Sequence, residues 1–216
     1  MSNPKKNIKN IRVDYNKSNI DYNLMPYSPF ELFKLWLDEA ILIDNENANA
    51  FVLSTVSSKG LPSSRVVLLR GLDNNGLTFF TNYNSCKSLN IDFNNNVSIN
   101  FFWPQLEKQV RILGRANKIS SVESDMYFNS RPKQNQLGAL LSNQSTEIPL
   151  NHDYTNHLTK LELEHENKEV IRPKYWGGYI VKPEYFEFWQ GRPSRLHDRL
   201  CYSYKNDSWL KTRKSP

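Results

Sequence analysis

Hydrophobic positions along this chain change period twice. Between residues 28 and 43 the apolar side chains fall at Phe33, Trp36, Leu37, Ala40 and Ile41, the three-and-four spacing of an amphipathic helix. Ser28-Pro29-Phe30-Glu31 ahead of them reads as an N-cap, a proline at the first helical position and a glutamate closing a capping box. The middle of the chain switches to β-branched and aromatic runs: AFVLSTVS (50–57), SSRVVLLRG (63–71), LTFFTN (77–82), VSINFFW (97–103) and KQVRILGRANKI (108–119). SSKG (57–60) and DNNG (73–76) supply hairpin connections, and Ser85 to Phe93 reads as a short helix between strands. Two short helices are predicted from Ser121 to Leu141, a loop from Asn143 to Tyr154 and a charged, solvent-facing helix from Asn156 to Lys168. WGGYIVKP, YFEFWQ, RLHDRLCYSY and SWLKTR then return to strand. Eight or nine closely spaced strands with a handful of helices predict a mainly β fold with flanking helices (α+β), built as an antiparallel barrel.

Residues 1–25 are polar and Asn/Lys-rich, and predict a mobile arm unless something docks it. Residues 26–216 show neither an internal repeat nor a second composition regime, so one domain is expected there. A chain of 216 residues can bury roughly 70% of its unfolded surface without staples. Cys86 and Cys201 lie far apart and outside any CxxC or Cys/His spacing, which argues against a disulfide framework or a metal site and for a reducing compartment. No stretch approaches the ~20 apolar residues of a membrane span, so a cytoplasmic protein without membrane contact is expected.

A formal charge of +6 favours anionic partners. The basic residues are spread along the chain, which suits small phosphorylated ligands better than nucleic acid. GxGxxG after a strand, GxxxxGK[ST], GxSxG and HExxH are all absent, so a phosphate must be met by individually placed cations and amides.

The densest cationic cluster is Arg195-Leu196-His197-Asp198-Arg199. On a strand, period two would put Arg195, His197 and Arg199 on one face. An exposed edge-strand face is the plain alternative, but Trp189-Gln190-Gly191 just upstream favours a binding site. In SRVVLLR, Arg65 and Arg70 bracket Val66, Val67, Leu68 and Leu69, and their odd separation predicts opposite faces, each free to meet a different anion or simply water. Thr81 to Lys87 forms a strand-to-helix turn where hydroxyls, amides and Lys87 can converge on a phosphate. Gln109 and Gln144-Ser145 offer amides suited to a flavin edge, though lone glutamines are usually surface residues, and Tyr127 and Arg131, one helical turn apart, form either a workable phosphate clamp or an ordinary helix cap with a packed tyrosine. Trp36, Trp103 and Trp209 are expected in the core, while His152, His157 and His165 are expected in solvent.

RVVLLR (65–70), FFTNYNSCK (79–87), EKQVRILG (107–114), YFNSRP (127–132), NQS (143–145) and FWQGRPSRLHDR (188–199) together resemble the pyridoxine/pyridoxamine 5′-phosphate oxidases, from RVDY (12–15) to RKSP (213–216). The resemblance implies an FMN-binding split β-barrel whose homodimer builds two sites at the subunit interface. It places Arg65 to Arg70, Phe80, Thr81, Cys86, Lys87, Gln109, Gln144, Ser145, Trp189 and Arg199 around FMN. Arg70, Tyr127, Arg131 and Asn135 fall where the family binds substrate phosphate. Arg195, Leu196 and His197 fall beside the pyridine ring, with Arg195 and His197 the implied catalytic residues, and Arg12 and Tyr15 fall in a lid. The implied reaction moves a hydride from pyridoxine or pyridoxamine 5′-phosphate to FMN, and O2 returns the flavin with release of hydrogen peroxide. Arg70 stands where lysine is common, Cys86 where the turn usually reads Ser-Arg-Lys, and Asn135 where serine is usual. A flavin-holding protein without turnover and a nucleic-acid-binding barrel are the competing classes; Tyr127, Arg131, Arg195 and His197 argue against the first.

Overall fold

The computed structural model describes Asn7, Lys9 and residues 14–216. Five helices and nine strands are present among them, in the order β2-β1-β5-β6-β7-β4-β3, with β8 on β7 and β9 on β8. The chain divides into a larger unit (49–100 and 112–184) and a smaller one (1–48, 101–111 and 185–216).

In the larger unit β1 (Ala50–Val56) and β2 (Pro62–Leu68) pair from Ala50↔Leu68 to Val56↔Pro62. The hairpin turns at Gly60, whose φ of +76° is the left-handed region that glycine enters without a Cβ penalty. Strict alternation buries Phe51, Leu53 and Thr55 along β1. β3 (Gly71–Asp73) and β4 (Gly76–Asn82) form the second hairpin, and β4 pairs the first half of β7 (Trp176–Gln190) from Leu77↔Val181 to Asn82↔Trp176. Leu77, Phe79, Ile99, Ile112, Tyr179 and Val181 are nearly inaccessible and make the core with Phe51 and Leu53; each such side chain contributes about 1.5–3 kcal/mol of burial. α2 (Cys86–Phe93) follows β4. α3 (Ser121–Ser130) opens on a complete capping box, Ser120 Oγ accepting from Glu123 N–H while the Glu123 carboxylate accepts from Ser120 N–H. α3 and α4 (Lys133–Leu141) pack Phe128 and Leu137 on Trp176 and Val170, and α5 (Tyr154–Glu164) is capped by Asp153.

In the smaller unit α1 (Pro29–Ile43) buries Leu32, Phe33, Trp36, Leu37 and Ala40. Phe33 packs on Phe101, Trp103 and Phe186, and Trp36 packs edge-on against Phe188. The second half of β7 pairs β8 (Asp198–Lys205) from Tyr185↔Ser203 to Gln190↔Asp198, and β8 pairs β9 (Ser208–Arg213) through a two-residue turn, Asn206-Asp207, with both φ positive. β5 (Asn96–Trp103) and β6 (Lys108–Lys118) complete the strands. Among the described residues no helix is long and apolar enough to cross a membrane.

The mainly β fold with flanking helices is as expected, and four local expectations are corrected. Ser28 makes no side-chain cap bond, so the first capping box does not form and Pro29 alone marks the helix start. WGGYIVKP and YFEFWQ are one strand, because Pro183 falls where β7 has left β4 and not yet met β8, so its missing N–H breaks neither of those ladders. β8 starts only at Asp198: Pro193 to Arg195 is a 3-10 turn with Ser194 and Arg195 left-handed (φ 57° and 61°), so Arg195, His197 and Arg199 do not share a strand face. β2 ends at Leu68, where the chain turns and Arg70 N–H bonds Thr78, so strand parity does not carry to Arg70.

Candidate functional site

The β1–β2 hairpin, the β4-to-α2 turn, the α3–α4 corner and the loop after α4 line one cavity of about 990 Å³ in the larger unit. Arg65, Arg70, Lys87 and Arg131 all face it, and among the described residues no acidic side chain lines it. None of the four cations forms an ion pair among the described residues.

Lys87, in the first turn of α2, is 8% exposed. Its Nζ donates to Thr81 Oγ1 (3.1 Å), Ser85 Oγ (3.0 Å) and Gln144 Oε1 (2.9 Å). Burial first, and then the Arg65 charge, depress its pKa to about 8. Arg65 is held by Leu53 O, Thr55 Oγ1 and Ser63, and burial lowers its pKa too. The loop after α4 closes on the same turn: Gln144 Oε1 also accepts from Thr81, and Cys86 N–H donates to Ser145 Oγ (3.3 Å).

At the α3–α4 corner Arg131 lies over the Trp176 ring (4.6 Å) and near Phe128 (5.6 Å). Its Nη1 is buried without a hydrogen-bond partner. Its pKa is lowered by burial and by Arg70, against the opposing pull of Tyr127. Tyr127, Phe80 and Trp176 stack nearly parallel, Tyr127 and Phe80 with centroids 3.7 Å apart. Arg65 depresses the Lys87 pKa and Arg70 that of Arg131, so the cavity holds two groupings of like charge. Placing Arg70 in the same cavity as Arg65 corrects the expectation of opposite faces.

The smaller unit gathers a second group. Trp189 lies 4.6 Å from His197, and Tyr15 meets both edge-on at 5.6 and 5.7 Å. Arg192 N–H donates to His197 Nδ1 (3.1 Å), which leaves the ring proton on Nε2. Burial and the Arg195 charge push the His197 imidazole below its ordinary value, against Asp198, so it is neutral at pH 7. Arg195 and Leu196 are exposed beside it and Gln109 is half-buried on β6. Arg199 Nε and Nη2 both bond Glu187 Oε1 (3.1 and 2.9 Å). Burial alone would raise the Glu187 carboxyl, but the bonds from Tyr185 and Arg199 hold it below its usual range.

Of the sequence candidates, Arg65, Val66, Val67, Leu68, Arg70, Phe80, Thr81, Cys86, Lys87, Tyr127, Arg131, Asn135, Gln144 and Ser145 line the cavity. Leu69 is buried in the core, and Arg12 lies outside the described residues. Sequence reasoning missed Trp176 and Gln134, which also line it, while Asn82 falls within the Thr81–Lys87 turn it singled out. The Gly177-Gly178 pair after Trp176 was the available signal: a Cβ at Gly177 would lie 2.3 Å from Tyr83 Oη and one at Gly178 2.8 Å from Phe80.

Residues 37–155 match the family described as pyridoxamine 5′-phosphate oxidase, and residues 176–216 match the pyridoxine 5′-phosphate oxidase C-terminal dimerisation region. The pyridoxine/pyridoxamine 5′-phosphate oxidase of Cytophaga hutchinsonii is 45% identical over 204 residues, covering 94% of this chain and 95% of that protein. The protein of the same name from Christiangramia forsetii is 46% identical over 212 residues, 98% and 99% of the two chains. Among solved structures, PhzG from Burkholderia lata, in complex with tetrahydrophenazine-1-carboxylic acid, superposes with a TM-score of 0.82 at 28% identity, over 90% of this chain and 96% of that one. A pyridoxamine 5′-phosphate oxidase-related, FMN binding protein from Nostoc punctiforme superposes with a TM-score of 0.73 at 17% identity, over 89% and 100%, and shares the FMN-binding split-barrel fold. With its cation-lined cavity, its nine strands and near-full-length matches at 45–46% identity, the chain belongs to the pyridoxine/pyridoxamine 5′-phosphate oxidase family of oxidoreductases.

Proposed function

We propose that the chain, as a homodimer with FMN at the subunit interface, oxidises pyridoxine 5′-phosphate and pyridoxamine 5′-phosphate to pyridoxal 5′-phosphate, in the synthesis or salvage of that coenzyme. The observation that carries this reading is the cavity of four cations, arranged as two groupings of like charge, with no acidic side chain among the described residues that line it. Each pair lacks countercharge, and each suits one phosphate: Arg65 and Lys87 that of FMN, Arg70 and Arg131 that of the vitamer. A volume of about 990 Å³ lies at the upper end of ligand pockets, which run to roughly 1,000 Å³.

Around FMN, Phe80, Thr81, Gln144, Ser145 and the Val66–Leu69 backbone would contact the ribityl chain and ring, with Gln109, Trp189 and Arg199. FMN when bound supplies the two-electron acceptor, and its reoxidation by O2 yields hydrogen peroxide. The residues of the chain bind and orient. Tyr127 and Asn135 join the vitamer phosphate site, Arg195 and neutral His197, presenting Nε2–H as a donor, hold the pyridine ring, and Tyr15 covers it. The test is the visible spectrum of FMN-loaded, desalted protein, recorded without oxygen before and after adding pyridoxine 5′-phosphate and again in air. Bleaching on substrate and recovery in air are expected; a retained band that never bleaches would make the chain a flavin-holding protein instead.

Cys86 is exposed in the lining of the cavity beside Lys87 and supplies no cation there. Cys86→Arg is expected to tighten FMN binding about tenfold, worth ~1.4 kcal/mol, through one further charge-assisted bond. Flavin-fluorescence titration reads this directly, and an unchanged Kd would mean that Arg65 and Lys87 already saturate the phosphate.

A further inference from the structure

Two carboxylates of the smaller unit, neither given a role above, point at the N-terminal arm. Glu107 is 5% exposed and sits in left-handed backbone (φ 56°). Its Oε2 accepts the Lys17 main-chain N–H at 3.0 Å, while Lys17 Nζ donates to Gln105 O at 2.5 Å. Three residues on, Ile20 N–H donates to Asp198 Oδ2 at 3.2 Å and the Tyr22 hydroxyl donates to Oδ1 at 3.0 Å. Asp198 is 8% exposed, with Arg192 and Arg213 each 3.6 Å from it, and Arg192 Nη1 also donates to Ser18 O. Buried carboxylates are retained only when their oxygens find donors, and here main-chain amides of the arm supply part of that demand.

Between Asp14 and Met25 Ile20 is the buried apolar side chain, and Arg213 lies over the Tyr22 ring at 4.4 Å. The arm's docked path sets Tyr15 on Gly191, where a Cβ would stand 2.6–2.9 Å from Tyr15 atoms. The glycine of WQG therefore leaves room for the tyrosine ring beside Trp189 and His197.

We propose that Asp198 and Glu107 are positioning residues that clamp the arm's main chain at Ile20 and Lys17, and so hold Tyr15 on Gly191 against Trp189 and His197. The inference rests on the assignment of Tyr15 and His197 to the vitamer ring. Two of the donors, Lys17 N–H and Ile20 N–H, are peptide groups, so side-chain changes at those two positions leave them in place.

The test combines hydrogen exchange with steady-state kinetics on FMN-loaded enzyme. Asp198→Ala removes both acceptor oxygens and leaves Ile20 N–H without its partner, whereas an asparagine would still accept from Ile20 N–H and donate to the Tyr22 hydroxyl. Amide exchange at residues 17–20 is expected to speed about tenfold, with KM for pyridoxine 5′-phosphate up about fivefold and kcat within twofold. Gly191→Ala, which displaces Tyr15 without touching the clamp, is expected to give the same rise in KM while exchange at Lys17 and Ile20 stays slow. The double variant should be no worse than either single one. If Asp198→Ala fails to fold, Glu107→Ala carries the test at Lys17. Unchanged exchange at the arm would overturn the clamp, and faster exchange without a rise in KM would overturn its service to the site. Failure of the wild type to oxidise the vitamer would instead remove the functional reading, while exchange would still read the clamp.

Discussion

Lys87→Met is expected to raise the Kd for FMN at pH 7 about a hundredfold. The methionine fills the lysine's apolar volume but deletes a desolvated cation and its bonds to Thr81, Ser85 and Gln144. Two charge-assisted bonds at about 1.5 kcal/mol each give the magnitude. The pH dependence is the sharper signature. In the FMN-free protein Lys87 titrates at about 8, against an ordinary 10.5. A bound phosphate raises that value, so binding takes up a proton above pH 8 and wild-type affinity should fall roughly tenfold from pH 8.5 to 9.5, while the methionine variant shows no such fall. Stability of the FMN-free protein runs the other way. Below pH 8 the buried charge is present and its burial opposes folding. Between 8 and 10.5 the unfolded chain binds the proton that the folded one has released, so this group's contribution to stability grows with pH. Fluorescence titration and thermal melts across pH 7 to 10 measure both. A wild-type Kd flat across that range would remove Lys87 from the phosphate site.

Period and turn chemistry made most of the fold legible. β1 and β2 alternate cleanly and their hairpin turns at Gly60, where glycine enters positive φ without a Cβ penalty. The misses lie where local pattern and long-range partner disagree. Ser28 and Glu31 have the spacing of a capping box and do not form one, whereas Ser120 and Glu123 do. Pro183 looks like a strand break until the partner exchange along β7 is known. Left-handed Ser194 and Arg195 carry no glycine to announce them, so the apparent alternation of RLHDR is spurious.

For the site, the chemical types were legible and their pairing was not. That Arg65, Lys87, Arg70 and Arg131 are candidates for meeting anions follows from their company in the sequence. That they form two groupings of like charge in one cavity depends on a turn after Leu68 and on the α3–α4 corner. The arm is the clearest limit. Its polar composition predicts mobility, yet residues 14–25 dock through acceptors 90 and 178 positions away in sequence, and no local pattern in the arm reports a distant carboxylate.

The Arg70–Arg131 pair makes the complementary prediction about substrate. Arg131→Met should raise KM for pyridoxine 5′-phosphate by two to three orders of magnitude with kcat nearly unchanged, because a phosphate remote from the reacting carbon is held equally in ground and transition states. Two bonds at about 1.5–2 kcal/mol each supply that range. Nη1, buried and without a partner in the protein, is a donor already desolvated for a ligand, so binding incurs little further loss. The same logic fixes the sign on stability. An unpaired, half-buried guanidinium over Trp176 opposes folding of the ligand-free chain, and methionine keeps the stem's contact with the ring while removing the charge. The variant should therefore melt no lower than the wild type, and inorganic phosphate should stabilise the wild type more than the variant. Equal losses in kcat and kcat/KM would place Arg131 at the reacting centre rather than at the phosphate. A lower melting temperature together with an unchanged KM would make it a packing residue, and the phosphate would then have to be held by Arg70 and Tyr127 without it.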